Sequence, residues 1–300
     1  MNPFEALDRQ LLPGFQRRVL EVGGSRVLAL TGGSGPPLLM LHGDPQTHLC
    51  WHRIAPHLAS RFTVVLTDIR GRGETHQPPV SPGGSLYSKR AMALEQLAAM
   101  RVLGYRSFAL VSHDRGARIA RRLALDHPEC VKKLVVMDII PAVDFYESAN
   151  AAIAQDYFYF FFLTQPYPLP ESLIAGNAKD FVQQILLSLS SGREIFDKAA
   201  FQLYLDAAAR PEAIVAMCEC FRAGVGLDRD HDEIDRRTDR KIICPTLVLW
   251  GEHGVIGKHF DVRRVWSRWC KDVRYAPMPC GHFIPEEAPE AALEELMNFL

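Results

Sequence analysis

The sequence predicts an α/β fold, in which helices cover both faces of a mostly parallel, eight-stranded sheet and an extra helical segment is inserted. Two observations support this prediction. Short apolar runs alternate with segments of helical periodicity, as in sheets built from strand–helix–strand units. Between about residues 142 and 241 the alternation stops, and the chain becomes rich in aromatic residues and prolines.

The predicted strands differ in their patterns. The first two, FQRRVLEV and SRVLALTG, are separated by Gly-Gly and predict an antiparallel hairpin. The next four are apolar throughout, which is typical of strands buried on both faces: PPLLMLHG, FTVVLTDIRG, FALVSHD and KKLVVMDII. Two more, CPTLVLWG and VRYAPM, follow the aromatic segment. Helical patterns are found in RIAPHLASR, SKRAMALEQLAAMRVLG, ARIARRLALDHP and PEEAPEAALEELMNFL.

These patterns predict two domains. Residues 1–141 and 242–300 would form the core, and residues 142–241 would form a helical cap inserted between two core strands. A chain of 300 residues that is 48% hydrophobic is long enough to bury a large core.

Composition also limits the partners. A net charge of −1 gives no reason to expect nucleic acid or an anionic membrane surface as a partner. The chain has no apolar run near the ~18 residues that a membrane span requires, and it begins without a signal-peptide pattern, so we expect a cytoplasmic protein. Seven scattered cysteines are typical of reduced thiols. Cys218 and Cys220 have no second ligand pair at metal-binding spacing, so no metal site is expected.

The most informative motif lies where the strand FALVSH meets the following helix. Ser112-His113-Asp114-Arg115-Gly116 resembles the strand–turn–helix motif G-x-S-x-G, which presents a nucleophile at the carboxyl end of a strand. Here the central residue is Asp114 in place of serine. An isolated aspartate after a strand is usually a helix cap, so a catalytic role requires partners elsewhere in the chain.

Such partners follow other strands. His282 comes just after the last strand, where a general base is expected, and Asp138 follows KKLVVM and is predicted to orient the imidazole, with Glu252 as the alternative. The stretch His42-Gly43-Asp44-Pro45 follows an earlier strand. The backbone N–H groups of Asp44 and Arg115 are the predicted oxyanion donors.

An aspartate nucleophile implies a particular chemistry. Its carboxylate displaces a leaving group from carbon and forms an alkyl-enzyme ester, which water activated by His282 then hydrolyses. The substrate would carry a halide or a strained epoxide oxygen on an sp³ carbon. No metal or organic cofactor is needed for these steps. A ligand-binding protein with an idle triad is the non-enzymatic alternative.

At this point the sequence resembles the fluoroacetate/haloacetate dehalogenases of the α/β-hydrolase fold over nearly its whole length. The resemblance rests on HGDPQTHLCWHR, SHDRGARI, VMDIIP, QPYPLPE, MCECFRAG and CGHFIPEEAP. It implies Asp114 as nucleophile, His282 as base and Asp138 as its partner. It also implies that Arg115 and Arg118 bind the carboxylate of a 2-haloacid, and that the enzyme is a homodimer. Residues three apart on a helix share a face, which fits a two-arginine clamp; Arg121 and Arg122 are expected at the helix surface.

The resemblance is weaker in the halide pocket. Its donors in the family are a His-Trp pair and a tyrosine, and the matching positions here are Tyr159, Phe160 and Phe221. Each lost donor to a charged group costs about 1.5–3 kcal/mol, so we expect poor defluorination and easier loss of chloride or bromide. Asp44 also departs from the family. Its carboxylate would raise the pKa of Asp114 or its own, offset the positive charge of the arginines, point away from the site, or pair with Arg115.

Tyr159 supports a rival prediction. Epoxide hydrolases share the Asp-His-acid triad and use cap tyrosines to protonate the opening oxygen. Tyr159 would be that donor here, with Tyr157 or Tyr204 as the second. A packed aromatic helix face is the structural alternative for DYFYFFFL. Haloacid dehalogenation and epoxide hydrolysis therefore both stay open.

Overall fold

The computed structural model describes residues 2–191 and 193–300. Its strands are β1 (Gln16–Val22), β2 (Ser25–Gly32), β3 (Pro37–Leu41), β4 (Thr63–Thr67), β5 (Phe108–His113), β6 (Val131–Met137), β7 (Thr246–Gly251) and β8 (Val273–Met278). They form one eight-stranded sheet in the order β1-β2-β4-β3-β5-β6-β7-β8. β2 pairs antiparallel with β1 and β4, and the remaining neighbours are parallel. The predicted hairpin and fold class are confirmed.

The helices alternate with the strands from β3 to β6. They are α1 (Pro3–Leu11), α2 (Ala55–Leu58), α3 (Lys89–Val102), α4 (Asp114–Asp126), α5 (Ala142–Glu147), α6 (Ala151–Asp156), α7 (Phe158–Phe162), α8 (Leu169–Ala175), α9 (Ala178–Leu189), α10 (Lys198–Ala208), α11 (Pro211–Val225), α12 (Leu227–Arg237), α13 (Val255–His259), α14 (Val262–Trp269), α15 (Ile284–Glu287) and α16 (Pro289–Phe299). Short 3₁₀ turns span His48–Trp51, Pro82–Tyr87 and Arg193–Ile195. The helical pattern PEEAPEAALEELMNFL at the C-terminus forms parts of two helices, α15 and α16, because the chain leaves helical geometry at Ala288.

The middle of the sheet is the centre of the core. In β3, the four residues Leu38 to Leu41 are fully buried, and β5 and β6 beside it are buried along most of their length. Strands covered on both faces need no polar alternation, which explains their continuous apolar sequences. The carboxyl ends of β3, β5 and β6 therefore meet at one edge of the sheet, where ligands of such folds bind.

Residues 142–241 leave β6 and return to β7 through helices α5 to α12. This segment is fixed to α4 by buried ion pairs. Arg121 Nη1 lies 2.5 Å from Asp232 Oδ1, and Arg122 Nη2 lies 2.5 Å from Asp235 Oδ2. The expectation that Arg121 and Arg122 lie at the surface is wrong, because α12 covers them and leaves them 4% and 2% exposed. Within the described residues, no helix is both long and apolar enough to cross a membrane.

Candidate active site

Asp114 occupies a strained turn between β5 and α4. Its φ angle is +45°, in the left-handed region that side chains other than glycine rarely adopt. Gly116 makes the turn possible, because a Cβ there would lie 2.4 Å from the carbonyl oxygens of Leu41 and His42. Strain of this kind is retained where the surrounding structure fixes it, often at functional sites.

The loop after β3 meets the Asp114 carboxylate. The backbone N–H of Asp44 donates to Asp114 Oδ1 at 2.9 Å, next to a cis peptide bond between Asp44 and Pro45. The Asp44 side chain does not pair with Arg115. Its two oxygens instead accept from Nε and Nη2 of Arg72, each at 2.5 Å. This buried, bidentate pair neutralises the Asp44 carboxylate beside the nucleophile position.

His282 lies between two carboxylates. Its Nδ1 is 2.5 Å from Asp138 Oδ2, and its Nε2 is 3.7 Å from Asp114 Oδ2. Asp138 also has a positive φ, +53°, and its Oδ1 accepts a 2.9 Å hydrogen bond from the Gly251 N–H. Glu252, the alternative partner, is exposed to solvent. The geometry thus joins Asp114, His282 and Asp138 in the predicted order.

These contacts change the pKa values of Asp114 and His282. Burial raises the pKa of Asp114, but the charges of His282 and Arg115 outweigh it and lower that pKa to about 2. Burial lowers the pKa of His282, and its contacts with Asp138 and Asp114 more than reverse that effect, so the pKa is raised. At neutral pH Asp114 is therefore a carboxylate.

His113 is a neighbour that sequence reasoning missed. Its Nε2 donates to the His282 carbonyl oxygen at 2.8 Å, and the two rings lie 4.7 Å apart between centroids. Burial, followed by the nearby charge of His282, lowers the pKa of His113 to about 3. A neutral ring here fixes the loop that carries His282 without adding a charge. Its position directly before Asp114 is the only signal that the sequence offered.

A cavity of about 10 Å³ opens above Asp114, which is about the room for one water molecule. Arg115 lines it and is 2% exposed; its guanidinium carbon lies 3.7 Å from the ring centroid of Phe221 and 4.8 Å from that of Phe160. No acceptor among the described residues pairs with Arg115 Nη2. The full lining is Asp44, Pro45, Asp114, Arg115, Tyr159, Phe160, Ile185, Met217 and Phe221.

Three residues named from the sequence lie elsewhere. Arg118 does not line this cavity; its guanidinium carbon is 5.8 Å from the Phe145 ring centroid, beside a second cavity. Tyr157 packs in an aromatic cluster with Phe145 and Phe160. The Tyr204 hydroxyl donates to Glu286 Oε1 at 3.3 Å. Of the tyrosines suggested as donors, Tyr159 alone lines the cavity above Asp114.

Metal-binding geometry is not found near these residues. Over 2–191 and 193–300, no group of three or more His, Cys, Asp or Glu side chains is arranged to hold a metal ion. All seven cysteines are buried free thiols.

Comparisons with known proteins agree with this architecture. The family model described as "alpha/beta hydrolase fold" matches residues 36–289. The chain is 38% identical to a fluoroacetate dehalogenase of Burkholderia sp, covering 97% of this chain and 95% of the relative. It is 28% identical to a soluble epoxide hydrolase of Corynebacterium sp. strain C12, covering 93% and 94%. The crystal structure of ALR0039 from Nostoc sp PCC 7120 superposes with a TM-score of 0.93 at 44% identity, covering 96% and 98%.

The family match runs from just before β3 to the start of α16 and includes the inserted helices, and the dehalogenase relative covers 97% of the chain. The chain therefore belongs to the α/β-hydrolase family and is an enzyme of that family.

Proposed function

We propose that this hydrolase removes the halogen from short 2-haloacids through a covalent ester on Asp114. One observation carries the proposal. The buried guanidinium of Arg115 lines the same small cavity as the Asp114 carboxylate, and its Nη2 has no acceptor among the described residues. A buried cation held beside a nucleophile is suited to a substrate that brings its own negative charge.

The first step would be displacement at carbon. Asp114 Oδ1 already accepts from the Asp44 N–H, so Oδ2 is the attacking oxygen. It forms a bond to the carbon that carries the halogen, and the halide leaves with the bonding electron pair. A pKa of about 2 keeps Asp114 ionised for this step.

The second step would hydrolyse the ester. His282 Nε2 lies 3.7 Å from Asp114 Oδ2, close enough to direct a water at the carboxyl carbon. The negative charge then develops on Oδ1, where the Asp44 N–H is already placed to stabilise it. Ester formation also removes the Asp114 charge, which is one cause of the raised His282 pKa. The base therefore becomes easier to deprotonate when its proton-accepting role begins.

Arg115 would make an anionic substrate tolerable. Two like charges ~4 Å apart repel by about 4 kcal/mol at an effective dielectric constant of ~20. The Arg115 guanidinium offsets this repulsion and can bind the substrate carboxylate through charge-assisted hydrogen bonds. Arg118 does not line the cavity above Asp114, so it would act only through the longer-range field of its charge one turn along α4, and not as the direct clamp predicted from the sequence.

The cap side of the cavity supports a restricted choice of halide. Tyr159 offers one hydroxyl, whereas Phe160 and Phe221 offer no donor to a departing halide. Fluoride depends most on such donors, so chloro- and bromoacids are the preferred substrates of this proposal. The cavity volume of about 10 Å³ favours the smallest acids and requires the surrounding rings to move when substrate enters.

Epoxide hydrolysis is the second candidate, and Tyr159 is the observation that favours it. This hydroxyl lines the cavity with Asp114, and a relative over 93% of the chain is a soluble epoxide hydrolase. Burial raises the pKa of Tyr159 well above its usual value, so the phenol stays protonated. It could then donate its proton to the alkoxide that forms when the epoxide ring opens. A neutral epoxide leaves Arg115 without a partner, which is why we rank this activity second.

We also propose how the chain is divided into domains, how it assembles and where it is located. Residues 142–241 would act as a cap domain over a core of residues 1–141 and 242–300. The resembling family suggests a homodimer, which light scattering would test, and the buried free thiols fit a cytoplasmic location.

A substrate screen tests the proposed reaction. Halide release would be measured with chloro-, bromo- and fluoroacetate, and diol formation with a panel of small epoxides. We expect release of chloride and bromide, little fluoride, and slower diol formation. Diol formation without halide release would replace the first candidate by the second.

A further inference from the structure

A second cavity lies on another side of α4, with a volume of about 20 Å³. Among the described residues, its lining shares no member with that of the cavity above Asp114. It is formed where α12 and the start of α5 pack against α3 and α4. The lining residues are Lys89, Arg118, Arg121, Arg122, Pro141, Ala142, Asp228 and Asp232.

The cluster carries an excess of positive charge. Four cationic side chains line the cavity with two carboxylates, and Asp235 pairs with Arg122 from outside the lining, so the formal sum is 4 − 3 = +1. Arg118 is the cation that has no carboxylate partner among the described residues. The carboxylates are already engaged. Asp228 accepts from Lys89 through both its backbone N–H at 2.7 Å and its Nζ at 3.1 Å. Asp232 Oδ1 accepts from Arg121, and its Oδ2 accepts from the Ala142 N–H at 2.8 Å.

Two arginines in this lining retain unused donors. Arg118 Nε and Arg121 Nε and Nη2 are buried and have no acceptor among the described residues. The side chains are 9% and 4% exposed. Arg121 is held in place by Asp232 at one nitrogen and by the Trp269 ring, 4.1 Å from its guanidinium carbon. Buried N–H groups without partners are rare, and a bound water or ion is one explanation for them.

We propose that this cavity binds one small inorganic anion, a halide such as chloride, through the N–H groups of Arg118 and Arg121. The charge excess favours an anion over water, because an anion neutralises buried cations that water can only solvate. The cavity volume is close to that needed for a single water-sized occupant, which excludes sulfate or phosphate. Burial and the neighbouring Arg115 lower the pKa of Arg118, and a bound anion would oppose both effects.

The anion would join the inserted helices to the core. Arg118 and Arg121 belong to α4, whereas Ala142 and Asp232 belong to α5 and α12. Because an anion that binds only the folded protein stabilises it by mass action, halide should raise the melting temperature. This role is independent of the reaction at Asp114 and holds whichever substrate is correct.

Thermal unfolding in different salts tests the site. Wild type would be compared in sodium chloride and in sodium sulfate of matched ionic strength, beside Arg121→Gln and the exposed control Arg106→Gln. Because sulfate stabilises folded proteins generally by exclusion from their surface, the salt effect is compared between variants. We expect the chloride-minus-sulfate difference in melting temperature to be roughly 3 °C or more higher in wild type and Arg106→Gln than in Arg121→Gln. The same chloride-minus-sulfate difference in wild type and Arg121→Gln would overturn the proposal.

Bromide provides a measurement that needs no variant. Wild-type crystals soaked in sodium bromide should show an anomalous peak within hydrogen-bonding distance of Arg118 and Arg121. Density for bromide only in the cavity above Asp114, or none in either cavity, would refute the second site.

Discussion

The cavity above Asp114 has two different walls. The core wall consists of strand ends and their loops, and its polar groups are hydrogen-bonded to one another. Asp44 N–H is bonded to Asp114, and Asp138 is bonded to both His282 and the Gly251 N–H. The other wall, the cap wall, belongs to the inserted helices and presents the aromatic side chains of Tyr159, Phe160 and Phe221.

The difference between the two walls separates the residues that would carry out the reaction from those that would select the substrate. Groups at the ends of packed strands cannot move far, so they suit chemistry that requires fixed geometry. The aromatic rings on α7 and α11 pack against each other, and a hydroxyl on one of these rings can be gained or lost without disturbing the sheet. Changes to the core wall should therefore alter whether a reaction occurs, and changes to the cap wall should alter which substrate reacts.

The largest effect is expected at Asp114. Asparagine keeps the size of the side chain and tolerates positive φ, so Asp114→Asn should fold like wild type. Without the carboxylate, turnover of every substrate should fall by roughly 10⁴-fold or more. Steady-state halide release and diol formation would be measured beside the melting temperature. Substantial turnover by an Asn variant whose mass shows no deamidation would contradict a covalent mechanism.

This core wall is also the part that the sequence predicted best. A nucleophile, base and acid placed after β5, β8 and β6 follow from local strand–turn patterns, and the structure brings Asp114, His282 and Asp138 together. What the sequence did not predict depends on distant contacts. Arg72 pairs with Asp44, which lies 28 residues away in the sequence. Arg121 forms a buried ion pair with Asp232, which lies 111 residues away. Neither contact leaves a periodic signal, because each forms only after the elements have packed.

The next effect separates the two steps on the core wall. In His282→Gln, the ester should form but hydrolyse about 10³-fold more slowly. Chloroacetate should then give one chloride per active site, and mass spectrometry should find the carboxymethyl adduct on Asp114. Arg106→Gln, at an exposed position, is the matched control for turnover. If no adduct accumulates while turnover is lost, His282 serves the first step rather than the second.

The same two steps should respond differently to pH in wild type. Since the pKa of Asp114 is lowered to about 2, ester formation should be nearly constant. Hydrolysis requires neutral His282, whose pKa is raised, so its rate should fall as the pH falls. Rapid-quench measurement of ester and product from about pH 8 to about pH 4 would resolve both rates. A parallel decline of both would show that one group controls them.

A substitution at Arg115 tests the contact between the two walls, because its guanidinium group, on α4, stacks on the ring of Phe221. Arg115→Leu removes the charge that offsets about 4 kcal/mol of repulsion, so haloacid turnover should fall by roughly 10³-fold. Arg118→Leu should cost less, because Arg118 does not line this cavity. A neutral epoxide is the internal control and should be affected far less. Equal loss for acid and epoxide would mean that Arg115 supports the fold of the site rather than substrate charge.

The smallest effect is expected on the cap wall, at Phe221. Its ring lies 4.9 Å from that of Phe160 and stacks on Arg115, and a tyrosine keeps that ring while adding one hydroxyl at the cavity. One hydrogen bond to a charged leaving group contributes about 1.5–3 kcal/mol, so Phe221→Tyr should raise fluoride release by roughly 10- to 100-fold. Bromide release should change little, because bromide departs without such help. The rates of fluoride and bromide release by Phe221→Tyr distinguish two roles for this position. An equal rise in both rates would assign Phe221 to substrate entry. A rise in fluoride release alone would mean that the cap wall selects the leaving group.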